Sequence, residues 1–170
     1  MQRSQRSERV GVVKILKIGV SLVLLTAIVV AIVAPIGPLP GFFIGGTPTA
    51  APTPWMDTSG THEIALRVPG TPPRVVIIWV VEHQAALYVV GSVDSGWTNQ
   101  LGEGGPVQMR LGDALYGLSA TRVREGLEPL LAAYVAKYEP DYPGIVAEFP
   151  SLETGADAFA VFRLDRLPAG

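Results

Sequence analysis

The sequence predicts a small, mainly β domain, a closed barrel with one or two helices, preceded by a single transmembrane helix. Three observations predict this class. Residues 18–56 carry no charged side chain, six later segments are typical of β-strands, and one segment has the apolar spacing of a helix. The 170 residues leave room for one domain and an appendage, because domains commonly have about 100 to 150 residues.

The membrane segment comes first in the chain. Residues 18–34 are apolar except for one serine and one threonine. A helix needs roughly 20 residues to cross a bilayer core of about 30 Å, a length that is reached when the flanking apolar residues are included. We therefore predict a transmembrane helix over residues 15–36 and a basic tail over residues 1–14.

The residues around this helix orient it and argue against its removal. A cleaved signal peptide needs small residues at two fixed positions before the cut, and a cut after Ala34 would put Ile32 at one of them and Pro35 just after it. Five Lys/Arg residues lie within the first 17 residues, at the N-terminal end of the helix, and the next one is Arg67. By the positive-inside rule, the N-terminus is then cytoplasmic and the globular domain lies outside the cytoplasmic membrane.

Residues 37–60 are predicted to form a linker. The stretch from residue 35 to residue 57 holds six prolines and four glycines, which remove backbone donors and resist ordering. We expect a tether without regular structure. As an alternative, its large apolar residues could rest at the membrane interface: Phe42, Phe43, Ile44 and Trp55.

The predicted domain, residues 61–166, begins with three strands. Glu63–Val68 alternates apolar and polar residues, as in a half-buried strand. Arg74–Val81 is a β-branched run with apolar residues on both faces, which indicates a central strand. A tight connection then leads to Ala86–Val90, and this spacing predicts a hairpin.

Three more strands follow a glycine-rich connection, which contains a short helical turn at Trp97–Leu101. Val107–Leu111 alternates and is joined by a Gly-Asp turn to Ala114–Thr121, so we predict a second hairpin. Phe159–Leu164 supplies the last strand.

One amphipathic helix separates the last two strands. Apolar residues recur with helical spacing from Leu127 to Tyr138, and Pro140 follows the end of this run. Because the spacing accounts for Tyr134 and Tyr138, both are predicted core residues, as is Trp79 in the second strand. Six strands and one helix suggest a mostly antiparallel barrel, which leaves no open strand edge.

Composition excludes several classes of site. The chain has no cysteine, so it holds neither a disulfide nor a thiolate metal site. His62 and His83 are the only histidines, and we predict both at the surface with no role in a metal site. Residues 57–170 carry eight Lys/Arg against fourteen Asp/Glu, and this acidic balance argues against nucleic-acid binding.

The order of these elements resembles the split β-barrel of the flavin- and deazaflavin-binding oxidoreductases. This is the pyridoxamine-phosphate-oxidase-like family, with its deazaflavin-dependent nitroreductase relatives. The resemblance covers about residues 61–166. It rests on five sequence segments: RVVIIWVV from Arg74, LYVVGS from Leu87, SGWTNQL from Ser95, GPVQMRL from Gly105 and VFRL from Val161.

The resemblance implies a cofactor, FMN or a deazaflavin, and a reductase acting on a nitro, quinone or similar small-molecule acceptor. It also implies a homodimer with the cofactor ring near the interface. Carried over by position, Arg74 would bind the cofactor phosphate, because a guanidinium pairs with phosphate oxygens. The residues that would line the ring or tail are Gly91, Ser92, Ser95, Gly96, Trp97 and Asn99.

Two alternatives stay open at this point. Trp97 lies among glycines and outside any periodic pattern, so it either stacks on a planar ring or caps the barrel. The loop Pro69–Pro73 supplies no basic group for a cofactor tail. The alternative to a reductase is therefore a non-catalytic binding or assembly module outside the cytoplasm on the same fold.

Overall fold

The computed structural model describes residues 41–149 and 156–167, together with Ser21 and residues 23–25. The strands in that part of the chain are β1 (Thr47–Pro48), β2 (Glu63–Val68), β3 (Arg74–His83), β4 (Ala86–Ser92), β5 (Gly104–Leu111), β6 (Ala114–Val123) and β7 (Phe159–Arg166). The helices are α1 (Gly96–Leu101), α2 (Leu127–Tyr138) and α3 (Pro143–Val146), and a 3₁₀ turn at Ala156–Ala158 precedes β7.

Six of these strands close into a barrel. They pair in the ring order β2, β3, β4, β7, β6, β5 and back to β2, and every pairing is antiparallel. The short strand β1 pairs in parallel with β6, next to the part of β6 that β7 covers. The predicted mainly β barrel with few helices is therefore confirmed, and each predicted strand is present.

The barrel is split at one end. β3 starts at Arg74 but pairs with β4 only from Val80 to His83. Trp97 of α1 packs on the second half of β4, where its ring leaves no room for a Cβ at Gly91, and its centroid is 5.6 Å from that of Phe162. Only 7% of Trp97 is exposed. Of the two alternatives for Trp97, the structure therefore shows the second, in which the ring caps the apolar interior of the barrel.

The interior of the barrel is filled mainly by aliphatic side chains. Successive residues of a strand point to opposite faces of a sheet, so alternate positions of each strand face inward. Leu66, Val89, Met109 and Leu118 have no solvent exposure. Because the strands pack these side chains against one another, the interior is a core and not a ligand site.

A second apolar cluster lies outside the barrel, where α2 packs on β3, β4 and β7. Trp79 stacks on Tyr138 with ring centroids 4.1 Å apart and planes inclined by 10°. The Tyr138 hydroxyl accepts a hydrogen bond from the Val80 amide at 2.9 Å and lies 2.6 Å from the Val80 carbonyl oxygen. The predicted burial of Tyr134 and Tyr138 is confirmed. They belong to this outer aromatic layer, however, and not to the barrel interior.

The segment from residue 41 to residue 60 is packed on the barrel, which corrects the prediction of a tether without regular structure. Gly41 exchanges two backbone hydrogen bonds with Val75, at 2.9 and 2.7 Å. Ile44 and Trp55 are 7% and 5% exposed and lie in apolar clusters. The physical reason is hydrophobic burial, because a free tether would leave these two large side chains in water.

The predicted transmembrane helix, residues 15–36, and the basic tail, residues 1–14, lie outside the described residues except for Ser21 and residues 23–25, which are helical. Residues 37–40 of the predicted linker lie outside them as well. Within the described ranges, no helix has both the length and the apolar character needed to cross a bilayer.

Candidate functional site: a cleft between the helices and the barrel

A cleft of about 540 Å³ lies between helices α2 and α3 and strands β4 and β7. We call it the helix-covered cleft. Its walls are mostly aliphatic and aromatic, and small-molecule sites in proteins have similar volumes, roughly 300 to 1,000 Å³. The lining residues are Val90, Gly91, Ser92, Leu131, Tyr134, Val135, Val146, Phe149, Ala158 and Phe159.

Two hydroxyl groups bring polarity to this apolar cleft. Tyr134 is only 6% exposed, and its hydroxyl has no hydrogen-bond partner within the described residues. Burial raises the pKa of Tyr134 well above its ordinary value, so the phenol keeps its proton and can donate it to an acceptor. The Ser92 hydroxyl is exposed and accepts a hydrogen bond from the Asp94 amide at 3.3 Å. The Tyr134 hydroxyl is therefore a donor that a ligand in the cleft could use.

The position of Tyr134 follows from the helical repeat. Tyr134 and Tyr138 are one turn apart on α2, so both face the barrel. The hydroxyl of Tyr138 reaches the β3 backbone at Val80, whereas the hydroxyl of Tyr134 makes no such contact in the described structure. The Phe149 ring packs beside Tyr134, with ring centroids 6.2 Å apart. It also packs beside Phe159, with ring centroids 6.1 Å apart. The result is an aromatic wall in which the Tyr134 hydroxyl has no hydrogen-bond partner among the described residues.

A second cleft, of about 470 Å³, lies at the split end of the barrel. We call it the Arg74 cleft. The Arg74 guanidinium lies over Gly96, where a Cβ would collide with it, and it has no hydrogen bond or ion pair to any described residue. Gln100 holds the adjacent loop, because its Nε2 donates to the Pro69 carbonyl at 2.8 Å. The lining residues are Gly41, Phe42, Gly70, Thr71, Pro72, Pro73, Arg74 and Gln100.

The predicted cofactor residues do not all line one cleft. Gly91 and Ser92 line the helix-covered cleft. Arg74 lines the other cleft, with Gly96 beneath its guanidinium. The ring and the phosphate of a cofactor were predicted to use these four residues together, and the structure divides them between two clefts.

The remaining predicted residues lie in α1 or, in the case of Ser95, at its N-cap. The Trp97 side chain lies in the barrel interior, because the gap between the strands needs an apolar cap. The Ser95 hydroxyl lies 2.9 Å from the Thr98 hydroxyl, within the turn that starts α1. Asn99 is exposed and lines neither cleft. These three residues therefore position α1 or face solvent.

The sequence prediction missed the aromatic residues that form the helix-covered cleft. Tyr134 was predicted as a core residue from its spacing, and Phe149 and Phe159 flank a stretch without a clear pattern. The one available signal was a tyrosine in an otherwise apolar stripe. A buried phenol needs a partner for its hydroxyl, and such a partner is either protein or ligand.

The two histidines lie apart from both clefts. Nδ1 of His62 is 3.2 Å from the Tyr142 hydroxyl, and its Nε2 is 3.3 Å from an Asp141 carboxylate oxygen. His83 is half-buried in the β3–β4 hairpin. His62 thus joins the start of β2 to the segment after α2, which is a structural role.

The closed six-stranded antiparallel barrel, with a helix packed outside it, is the architecture of the split β-barrel class. Similar solved structures include HutZ, the heme storage protein from Vibrio cholerae (15% identity over 65% of this chain and 86% of that one, TM-score 0.45). A NimC/NimA family protein from Clostridium acetobutylicum is 19% identical over 61% of this chain and 73% of its own (TM-score 0.44). The FAD and heme binding protein from Mycobacterium smegmatis is 16% identical over 64% and 62% (TM-score 0.44).

The comparisons of sequence do not assign the protein to a family. No protein-family model matches the chain, and no curated protein matches its sequence. Because the identities are below 20% and the TM-scores below 0.5, these similarities support no conclusion about function. The predicted barrel fold is confirmed by the strand pairing of this chain, and the ligand has to be argued from the clefts.

Proposed function

We propose that this protein is a membrane-anchored barrel that binds a flat, largely apolar ring compound in the helix-covered cleft. One observation carries the proposal. The cleft has aromatic and aliphatic walls, and Tyr134, a nearly buried residue of these walls, has a hydroxyl group without a hydrogen-bond partner in the described structure. Such a site favours a ligand that buries a ring and accepts one hydrogen bond.

A flavin-type cofactor is the first member of this ligand class to test. Its ring matches the aromatic walls, and Tyr134 would donate a hydrogen bond to a ring carbonyl or nitrogen. When bound, FMN or a deazaflavin would supply hydride chemistry toward a nitro, quinone or similar acceptor. The chain itself would orient the ring between α2 and β4 and exclude water from one of its faces.

A second candidate, a non-catalytic binding module, is favoured by the separation of the two clefts. No cationic side chain lines the helix-covered cleft in the described ranges. The Arg74 guanidinium, which the resemblance assigned to phosphate, lines the other cleft. An uncharged ring compound fits such a site better than a cofactor with several phosphates, because buried anionic groups need paired charges.

The membrane anchor is part of this proposal. The charge-free run of residues 18–56 and the basic residues before it support a helix over residues 15–36. Val23, Leu24 and Leu25 are helical and exposed, as expected of residues that contact lipid. Resistance of the full chain to alkaline extraction from membranes tests the anchor. Digestion of the domain by protease added outside the cytoplasmic membrane tests its orientation.

Ligand binding is tested on the full chain purified in detergent. The absorption spectrum is recorded after purification and during titration with riboflavin, FMN, a deazaflavin cofactor and hemin. We expect binding of at least one of these rings, and a Tyr134→Phe variant should bind it about 2- to 12-fold more weakly, the equivalent of one hydrogen bond of about 0.5 to 1.5 kcal/mol. Tyr116→Phe is the matched control, because Tyr116 lies in the barrel interior cluster.

The outcomes separate the candidates. Tight binding of FMN or deazaflavin, with reduction of a nitro or quinone acceptor, supports a reductase. Binding of riboflavin or hemin without turnover supports the binding module. Absence of any bound or titratable ring at micromolar concentration rejects the assignment of the cleft. The homodimer implied by the resemblance is checked on the same sample by light scattering.

A further inference from the structure

We infer that the Phe42–Phe43 turn and Arg74 form a membrane-docking patch that holds the split end of the barrel against the headgroup layer of the bilayer. The inference rests on the anchor proposed above. It concerns the face of the barrel that meets the membrane. The occupant is the anchoring bilayer itself, with anionic lipid headgroups at its surface.

The first argument is the exposure of two adjacent phenylalanines. Phe42 and Phe43 are 43% and 66% exposed, whereas Ile44 next to them is buried. The sequence analysis considered these three residues together as candidates for the membrane interface. In the structure, the two phenylalanines are exposed and Ile44 is buried. Ile44 fixes the segment to the barrel, and the two phenylalanines remain outside it, where water is an unfavourable solvent for large apolar rings.

The second argument is the short length of chain before this turn. The predicted transmembrane helix ends at Ile36, and Gly41 is already bonded to Val75 of β3 through two backbone hydrogen bonds. Five residues of extended chain span at most about 18 Å. The headgroup layer is itself roughly 5 to 8 Å thick on each side. The split end is therefore kept close to the membrane surface.

The third argument is charge. Arg74 lines the same cleft as Phe42, and its guanidinium has no partner in the part of the chain that the structure describes. Arg110 lies beside the same turn, where its Nη1 donates to the Ile44 carbonyl at 2.8 Å. Asp113 lies beside the residues that follow this turn, where it accepts a hydrogen bond from the Thr47 hydroxyl at 3.1 Å. A cation beside exposed aromatic rings suits the phosphates of anionic lipids.

The absence of cysteine from the sequence permits a direct test. Full-length Phe43→Cys and Ile145→Cys variants are labelled with an environment-sensitive fluorophore and reconstituted in vesicles of phosphatidylcholine with or without phosphatidylglycerol. Ile145 is the matched control, because it is an exposed apolar residue on α3. We expect spin-labelled lipids to quench the fluorophore at position 43 severalfold more strongly than the one at position 145.

Arg74→Gln and a high salt concentration should each reduce this quenching in the vesicles that contain phosphatidylglycerol, because exposed charge pairs are screened. Equal quenching at positions 43 and 145 in a chain that resists alkaline extraction would reject the docking patch and leave the anchor intact. A chain that alkaline extraction releases would reject the anchor. If Arg74→Ala weakens FMN binding and leaves quenching unchanged, Arg74 belongs to the cofactor and not to the membrane.

Discussion

The barrel interior and the outer aromatic layer bury apolar surface in different ways. The interior is packed with aliphatic side chains from strands that alternate, and Leu66, Val89, Met109 and Leu118 are completely inaccessible. The outer layer, between α2 and the strands, combines aliphatic side chains with aromatic rings, and several of these rings carry polar groups. The difference teaches where a ligand can bind. A closed barrel of this size is filled by its own side chains, while a helix laid over it leaves a cleft.

Truncation of an interior ring should produce the largest loss of stability. Phe162 is fully buried between Trp97 and its neighbours. We expect Phe162→Ala to lower the free energy of unfolding by about 3 to 5 kcal/mol, because a cavity remains. Guanidinium unfolding followed by tryptophan fluorescence measures this. Phe149→Ala, in the wall of the helix-covered cleft, should cost less, and an equal cost would contradict the distinction between the two regions.

Removal of the Tyr138 hydroxyl tests how the outer layer is fixed to the barrel. Tyr138→Phe leaves the amide of Val80 without its partner and should destabilise the fold by about 1 to 3 kcal/mol, the cost of an unsatisfied buried group. Tyr142→Phe is the matched control, because its hydroxyl contacts only the partly exposed His62 ring. A smaller loss for Tyr138→Phe than for the control would show that the β3 contact is unimportant.

Two glycines test the split end from its two sides. A Cβ at Gly91 would collide with the buried Trp97 ring, so Gly91→Ala should cost about 1 to 3 kcal/mol by overpacking. A Cβ at Gly96 would meet the free end of the Arg74 side chain, which can move, so Gly96→Ala should change stability by less than about 0.5 kcal/mol. Thermal unfolding of the two variants provides the comparison. If the two variants lose similar stability, the Arg74 side chain is held more rigidly than its lack of partners indicates, and the contrast between the two glycines is wrong.

Alkaline pH should weaken the outer layer through Tyr134. Burial raises the pKa of Tyr134 in the folded protein, so above pH 10 the unfolded chain releases this proton and the folded one retains it. The stability contribution is therefore complete below about pH 10 and is lost at about 1.4 kcal/mol per pH unit above it. Unfolding free energies of the wild type and Tyr134→Phe, measured from pH 9 to 11, should diverge in this direction. Parallel curves would show that the phenol is not buried in solution.

The alternating strands were predictable from the sequence, because the polarity of each side chain indicates which face of the sheet it is on. Glu63–Val68 has the same bounds in the prediction and in the structure. Arg74–Val81 is apolar on both faces, and the pattern correctly indicated a strand covered on both sides. It did not show that a helix, and not a second sheet, covers the outer face. That depends on contacts between residues that are distant in sequence, such as Trp79 and Tyr138.

The candidate site was less predictable, because it depends on the direction in which each side chain points in the folded protein. Gly91 and Ser92, predicted from the resemblance to bind a cofactor, line the helix-covered cleft. Position along the chain could not place Trp97, whose ring turns inward from a short helix. Composition misrepresented the segment of residues 41–60. Its prolines and glycines suggested a free tether, although Ile44 and Trp55 are buried against the barrel and Gly41 is bonded to Val75.

Strand β7 is the last strand of the described barrel along the chain, and two other strands depend on it for pairing. It pairs with six residues of β4 and with six of β6, and it follows all the other strands in the chain. If the domain crosses the membrane behind the N-terminal anchor proposed above, β2 to β6 emerge first with the edges of β4 and β6 unpaired. Unpaired strand edges are templates for aggregation. Export of this protein would therefore favour rapid delivery of its C-terminal strand, or a chaperone that covers those two edges until β7 arrives.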